Sequence, residues 1–194
     1  NVEERSTATV DIDATVMAMF EALNGGETVK KAPPADKEML LLPQDGIFHG
    51  QGTSYNENGN PPSEGVSEDG IAHGQGKVYN EDGTLMYEGV SQDGIAHGQG
   101  KVYYEDGTLM YEGEFQGGGA HGQGVRYYED GTVQHEGEFQ DGDAHGQGTR
   151  YYEDGSLRYA EEFINGQYGG QGKMYYQNGS LEYKGEFQDG DAHG

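Results

Sequence analysis

The tetrapeptide His-Gly-Gln-Gly stands at His49, His73, His97, His121 and His145, so the chain repeats itself every 24 residues. At position 169 the slot reads Gly-Gly-Gln-Gly, and at His193 only His-Gly remains. A fixed period of this length marks an array in which each unit packs on its neighbours and none needs a thick core of its own. The composition is poor in core formers: hydrophobic residues are 32% of the 194 residues, with a formal net charge of −24. Low hydrophobicity with high charge ordinarily signals disorder. The strict period, with 15 tyrosines and 36 glycines, argues instead for an ordered array.

The clearest unit is HGQGKVYYEDGTLMYEGEFQGGGA, His97–Ala120. Glu105-Asp106-Gly107 reads as a tight hairpin turn of type I′, and the Gln-Asp-Gly at Gln92–Gly94 opens a longer second turn. The intervening segments are rich in β-formers, so each repeat is predicted to be a β-hairpin and the array a meander. With Asp106 and Gly107 at the centre of the turn, Glu105 faces Thr108, Tyr104 faces Leu109 and Tyr103 faces Met110. Further along, Val102 faces Tyr111, Lys101 faces Glu112, Gly100 faces Gly113, Gln99 faces Glu114 and Gly98 faces Phe115. Alternation then gives one face of aromatic, aliphatic and glycine residues, and another of charge with Tyr103 as its main aromatic. Exceptions include Ser67 and Ser91 in the Phe115 slot, Arg126 opposite His135, Lys173 opposite Lys184, and Glu161 in place of a glycine.

The pattern Tyr-x-Gly-x-Phe-x-x-Gly-x-x-His-Gly-x-Gly, as in YEGEFQDGDAHGQG, resembles the MORN repeat over about residues 38–194. The period of 24 is longer than the usual one, and Phe stands where Trp is frequent. The YYEDGTLMYEGEF portion resembles the variant form of that repeat. The resemblance implies an all-β fold: a single-layer, elongated antiparallel meander with a groove along it. It also implies a non-catalytic scaffold that clasps a helix or extended segment of a partner, with links in some members to phospholipids or to dimer formation. Residues 1–37 differ in composition and are expected to form a separate N-terminal cap and linker. Within them Asp13–Gly26 reads as an amphipathic helix, with Val16, Met19, Phe20 and Leu23 on one face. Asn1 in first place points to a segment preceding this sequence, and the partial repeat at His193–Gly194 to an array interrupted mid-unit.

Gly98, Gly100 and Gly113 cluster on the apolar face and, stacked across repeats, are expected to leave a strip without side chains. Phe115 walls one side of that trough, and Val102 with Tyr111 the other. The groove residues expected to hold a partner are Tyr104, Leu109, Tyr111, Phe115, Tyr128, Phe139, Tyr152, Tyr159 and Phe163, with those three glycines. The acidic face, with Glu112, Glu114, Glu136 and Glu138, keeps the sheet soluble or steers basic partners.

No metal, cofactor or catalytic residue is expected. Histidines one hairpin apart are separated by roughly 9.6 Å, too far to share one zinc ion; their expected role is to order the turn by hydrogen bonds. Gln-Asp-Gly-Asp has the wrong period for a calcium-binding β-helix. Asn178-Gly179-Ser180 matches a glycosylation sequon but occupies a turn. No nucleophile elbow, phosphate loop or zinc-protease motif occurs. The absence of cysteine excludes disulfides. The acidic balance argues against nucleic acid and against anionic lipid surfaces, and no apolar run is long enough to span a bilayer. The expected role is protein scaffolding within a larger, soluble, intracellular assembly, with oligomer formation compatible. The alternatives are a phospholipid-binding module or a carbohydrate-binding aromatic repeat, the latter weakened by the lack of tryptophan.

Overall fold

The computed structural model describes residues 50–53, 63–68, 71–80 and 82–193. They form one open antiparallel sheet of 13 strands in strict sequence order, and no helix occurs among them. The strands are β1 (Gly50–Thr53), β2 (Ser63–Glu68), β3 (Ile71–Tyr79), β4 (Leu85–Gln92), β5 (Ile95–Tyr103), β6 (Leu109–Gln116) and β7 (Gly119–Tyr127). They continue as β8 (Val133–Gln140), β9 (Asp143–Tyr151), β10 (Leu157–Ile164), β11 (Gln167–Tyr175), β12 (Leu181–Gln188) and β13 (Asp191–His193). The meander expected from the repeat is therefore the fold. The N-terminal helix Asp13–Gly26 lies outside the described residues.

The two turns of each repeat exchange the roles expected of them. At the Glu-Asp-Gly turn, Tyr104 N donates to Thr108 O at 2.8 Å and Gly107 N to Tyr104 O at 2.9 Å. This is a three-residue loop, a type I turn ended by a left-handed glycine, with Gly107 at φ 85°. The aspartate closes it as an Asx turn: Asp106 Oδ1 accepts from Thr108 N at 2.8 Å, and Asn178 Oδ1 accepts from Ser180 N at 2.9 Å. The sequon Asn178 is thus turn chemistry. The tight turn is Gln-Asp-Gly instead: Gln92 pairs with Ile95, and Asp93 and Gly94 take φ 52° and 79°, the double left-handed signature of type I′.

The longer loop shifts pairing by one residue, and a bulge restores it. Tyr103 pairs with Leu109, not Met110, and Tyr104 closes on Thr108, not Leu109. Met110 is left unopposed, and from there Val102–Tyr111, Lys101–Glu112, Gly100–Gly113, Gln99–Glu114 and Gly98–Phe115 pair as expected. Met110, expected on the charged face, is consequently buried in the aromatic cluster. A second irregularity falls on His-Gly: between Gly113–Gly124 and Phe115–Ala120 the strand β7 carries extra residues, and Gly122 takes φ 64°. The histidine therefore belongs to a bulge within a strand, not to a turn. Nδ1 of His121 and of His145 is buried without a hydrogen-bond partner, so these histidines do not order the chain in the expected way.

One face carries a continuous zigzag of edge-to-face rings. Tyr87–Phe115, Phe115–Tyr111, Tyr111–Phe139, Phe139–His135, His135–Phe163, Phe163–Tyr159, Tyr159–Phe187 and Phe187–Tyr183 have centroid separations between 4.6 and 5.7 Å. Such contacts add to the burial of the rings about 0.5–1.5 kcal/mol each. A single sheet with no second layer buries these rings because Tyr87, Tyr111, His135 and Tyr159 each lie over the glycine of the next strand, with the phenylalanines edge-on between them. A Cβ on Gly100 would stand 2.8 Å from Tyr87 Cε2, and one on Gly148 2.6 Å from His135 Cε1. The hydroxyls are also satisfied: Tyr87 donates to Val90 O at 2.7 Å, Tyr111 to Glu114 O at 3.1 Å and Tyr159 to Glu162 O at 3.0 Å. Outer tyrosines lock successive repeats, with Tyr104 donating to Tyr127 O, Tyr128 to Tyr151 O and Tyr152 to Tyr175 O at 2.8–3.0 Å.

Two consequences are measurable. Gly124→Ala places a methyl against the buried Tyr111 ring and should cost about 1–3 kcal/mol in urea unfolding. His135 fills a tyrosine slot while fully buried, and burial, then Arg150 and Arg126, push its pKa down to about 3. The unfolded chain takes up the proton near 6.5 and the folded protein does not, so this contribution is complete above about 6.5 and lost as the pH falls towards 3. His135→Tyr should remove a stability loss approaching about 1.4 kcal/mol per pH unit in that window, seen as a smaller wild-type-to-variant gap at pH 7 than at pH 4.5.

Candidate functional site

The expected aromatic trough does not exist as an open surface. Tyr111, Phe115, Phe139, Tyr159 and Phe163 are at most 3% exposed: the tyrosine rings occupy the strip that was expected to be bare, Tyr87 over Gly100 and Tyr111 over Gly113 and Gly124, and the phenylalanines pack edge-on against them. Tyr104, Tyr128 and Tyr152 are half-buried and engaged by their hydroxyls in the inter-repeat bonds. Leu109 is the register partner of Tyr103 instead of standing beside Tyr111. Gly98 sits in the bulge at φ 65°.

The open groove is on the opposite face. It has a volume of about 1150 Å³ and runs across the strands from β3 to β10. Seven strand spacings make it roughly 34 Å long. Its floor is a row of glycines in register, Gly89, Gly100, Gly113, Gly124, Gly137 and Gly148, one from each successive strand from β4 to β9. The row exists because backbones approach closely there: a Cβ on Gly113 would meet Gly124 Cα at 2.6 Å, and Gly113 itself has φ 157°. Glu161 on β10 interrupts the row, which resumes at Gly172 and Gly185 on β11 and β12. It is the register partner of Gly148, yet holds φ 115°, a backbone conformation that favours glycine. Its carboxylate pairs with Lys173 at 2.6 Å.

One flank is a row of amides, Gln75, Gln99, Gln123 and Gln147, and the other a row of carboxylates, Glu88, Glu112 and Glu136. Tyr103, Tyr127 and Tyr151 each reach back to the carboxylate of the preceding repeat. Tyr127 and Tyr151 are pushed up to about 12 by burial and then by these carboxylates. Glu112 is held low by the Tyr127 hydroxyl and then by Lys101. Cations are distributed unevenly along the groove. Glu88 pairs with Lys77 at 3.5 Å and Glu112 with Lys101 at 3.1 Å. At Glu136 the equivalent positions are Val125 and Thr149, its register partners on either side, and it forms no ion pair among the described residues. The substitution of lysine by Val125 and Thr149 was visible in the repeat. Its meaning depended on knowing which face is open.

The arginines lie on the aromatic side. Arg126 stacks over Phe139 at 5.2 Å, Arg150 over Phe163 at 5.1 Å and Tyr168 at 5.6 Å, and Arg158 over Tyr152 at 5.3 Å. Burial, then Arg150, push Arg126 down to about 10, so it stays charged at neutral pH.

Comparison with known proteins agrees with the hairpin repeat. A profile of the MORN repeat matches residues 44–60, 111–133, 135–157 and 162–181, and one of the MORN repeat variant matches residues 72–93 and 96–116. No curated protein matches the chain significantly. Repeats of this kind are often involved in protein or membrane-lipid interactions and are generally non-catalytic modules. The variant matches fall on β3–β6, where serine or valine replaces some of the later aromatic and acidic residues, and the two forms together cover most of the sheet. By its repeat, its strand order and these matches, the chain belongs to the MORN-repeat family.

Proposed function

We propose that this protein is a non-catalytic interaction scaffold that lays a basic, extended segment of a partner protein along the groove of its polar face. The observation that carries the reading is the glycine-floored groove with amides on one flank and carboxylates on the other. Bare backbone on the floor allows a chain to approach closely, and the glutamine row offers donors and acceptors at a regular spacing. The resident lysines neutralise Glu88 and Glu112 but not Glu136, so a partner's lysine or arginine finds its anchor on β8, towards the β10 end of the groove. Roughly ten extended residues match its length. The partner segment expected in the aromatic strip is thereby moved to the other face of the same sheet, where the surface is open.

The test is fluorescence anisotropy with a labelled ten-residue peptide alternating lysine and glutamine. Glu136→Gln should weaken binding about tenfold, the effect of losing one charge-assisted contact. Val125→Lys, which supplies Glu136 with a resident cation, should weaken it as well. Glu153→Gln removes the same charge from an exposed turn and should leave binding within about twofold, as expected of a distant surface charge under screening. Equal losses for Glu136→Gln and Glu153→Gln would show that the peptide responds to net charge alone and sink the groove assignment.

A further inference from the structure

All three arginines among the described residues, Arg126, Arg150 and Arg158, belong to β7, β9 and β10 on the side of the aromatic ladder. The lysines that form ion pairs, Lys77, Lys101 and Lys173, belong to the other face. Arg126 and Arg150 are both register partners of His135, on its two sides, so their backbones stand roughly 9.6 Å apart. Arg126 gives one donor to Gly142 O at 2.6 Å, but its Nε is buried with no acceptor among the described residues. Arg150 contacts its neighbours through ring stacking, and none of the three forms an ion pair among the described residues. In a protein of net charge −24, cations gathered without an ion pair among the described residues are the reverse of what electrostatics alone would arrange.

A guanidinium lying on a ring keeps its donors in its own plane, where they suit a planar, two-oxygen acceptor. We propose that Arg126 and Arg150, with Arg158 at the rim, form a binding site for the carboxylates of an acidic peptide segment. The surroundings favour a singly charged acceptor over phosphate. Asp143 acts on Arg126, Glu129 on Tyr104 and Glu153 on Tyr128, and a dianion meets about twice the repulsion from these charges that a carboxylate meets. The site is on the face opposite the groove and does not depend on the groove binding anything. If both readings hold, one sheet presents an acidic groove on one side and an arginine site on the other, and bridges two partner segments of opposite charge.

The experiment is titration of the full chain with hexaglutamate at about 150 mM salt, where repulsion from distant carboxylates is screened within about 8 Å. Binding is read from the arginine Nε–H resonances by NMR and from calorimetry. Expected are shifts of the Arg126 and Arg150 signals, with affinity falling about tenfold in Arg150→Gln and in Arg126→Gln. Glutamine keeps part of the stem over the ring, and unfolding curves identify any variant that has lost its fold. The wild-type resonances remain decisive in that case. Unshifted arginine signals, or a folded Arg150→Gln protein that binds hexaglutamate as well as wild type, would overturn the site. Inorganic phosphate shifting the same signals at lower concentration than the peptide would overturn the choice of carboxylate. Loss of lysine–glutamine peptide binding in Glu136→Gln, with hexaglutamate binding intact, separates the two faces.

Discussion

A tyrosine ring laid over a glycine in the next strand is the contact on which the rest of this sheet depends. A single-layer sheet has no second layer to cover its apolar face, and one-third hydrophobic content cannot supply one. The solution is to let each ring lie down instead of standing out from the pleat. That requires a residue with no side chain beneath the ring, and it explains why Gly100, Gly124 and Gly172 stand under Tyr87, Tyr111 and Tyr159. The phenylalanines then wedge edge-on between tyrosines and His135, and each phenylalanine is held by rings on both sides. The tyrosine hydroxyls meet backbone carbonyls that would otherwise lie beside an apolar layer.

The same glycines make the other face. Where they pair across strands the backbones come together without side chains, and the polar residues on either side become the flanks of a groove. One row of residues thus builds the covered face and the open face at once. Glu161 shows what the row demands: in the glycine position it keeps a glycine-like φ, and its carboxylate pairs with Lys173 on the next strand. Charge is sorted by the same division. Carboxylates and lysines share the groove side, while arginines settle on the rings, where a flat cation meets the negative face of an aromatic system. His135 is a neutral member of the ladder, kept so by burial and by two flanking arginines.

Much of this was legible. The period, the hairpin repeat, the alternation of faces and the pairs from Val102–Tyr111 to Gly98–Phe115 follow from spacing and β-propensity. The turns were not. Asp-Gly suits both a type I′ turn and the end of a type I turn with a left-handed glycine, and only the hydrogen bonds of Tyr104 and the side chain of Asp106 separate them. Because a three-residue loop and a bulge at Met110 cancel, the distant register came out right while the local one was off by a residue. The place of Met110 in the core follows from that cancellation.

The amino-acid order alone set the array, its meander and the two chemically distinct faces, since these rest on a local period and on nearest-neighbour pairing. Which face is open was decided only by tertiary structure. A run of glycines beside aromatics reads equally as an empty trough or as a floor with rings upon it, and the difference is a matter of side-chain rotation over the neighbouring strand. Tyr111 stands over Gly113 and Gly124, one of them on the strand after its own, and that contact closes the aromatic face and leaves the open groove to the face of Gln123 and Glu136.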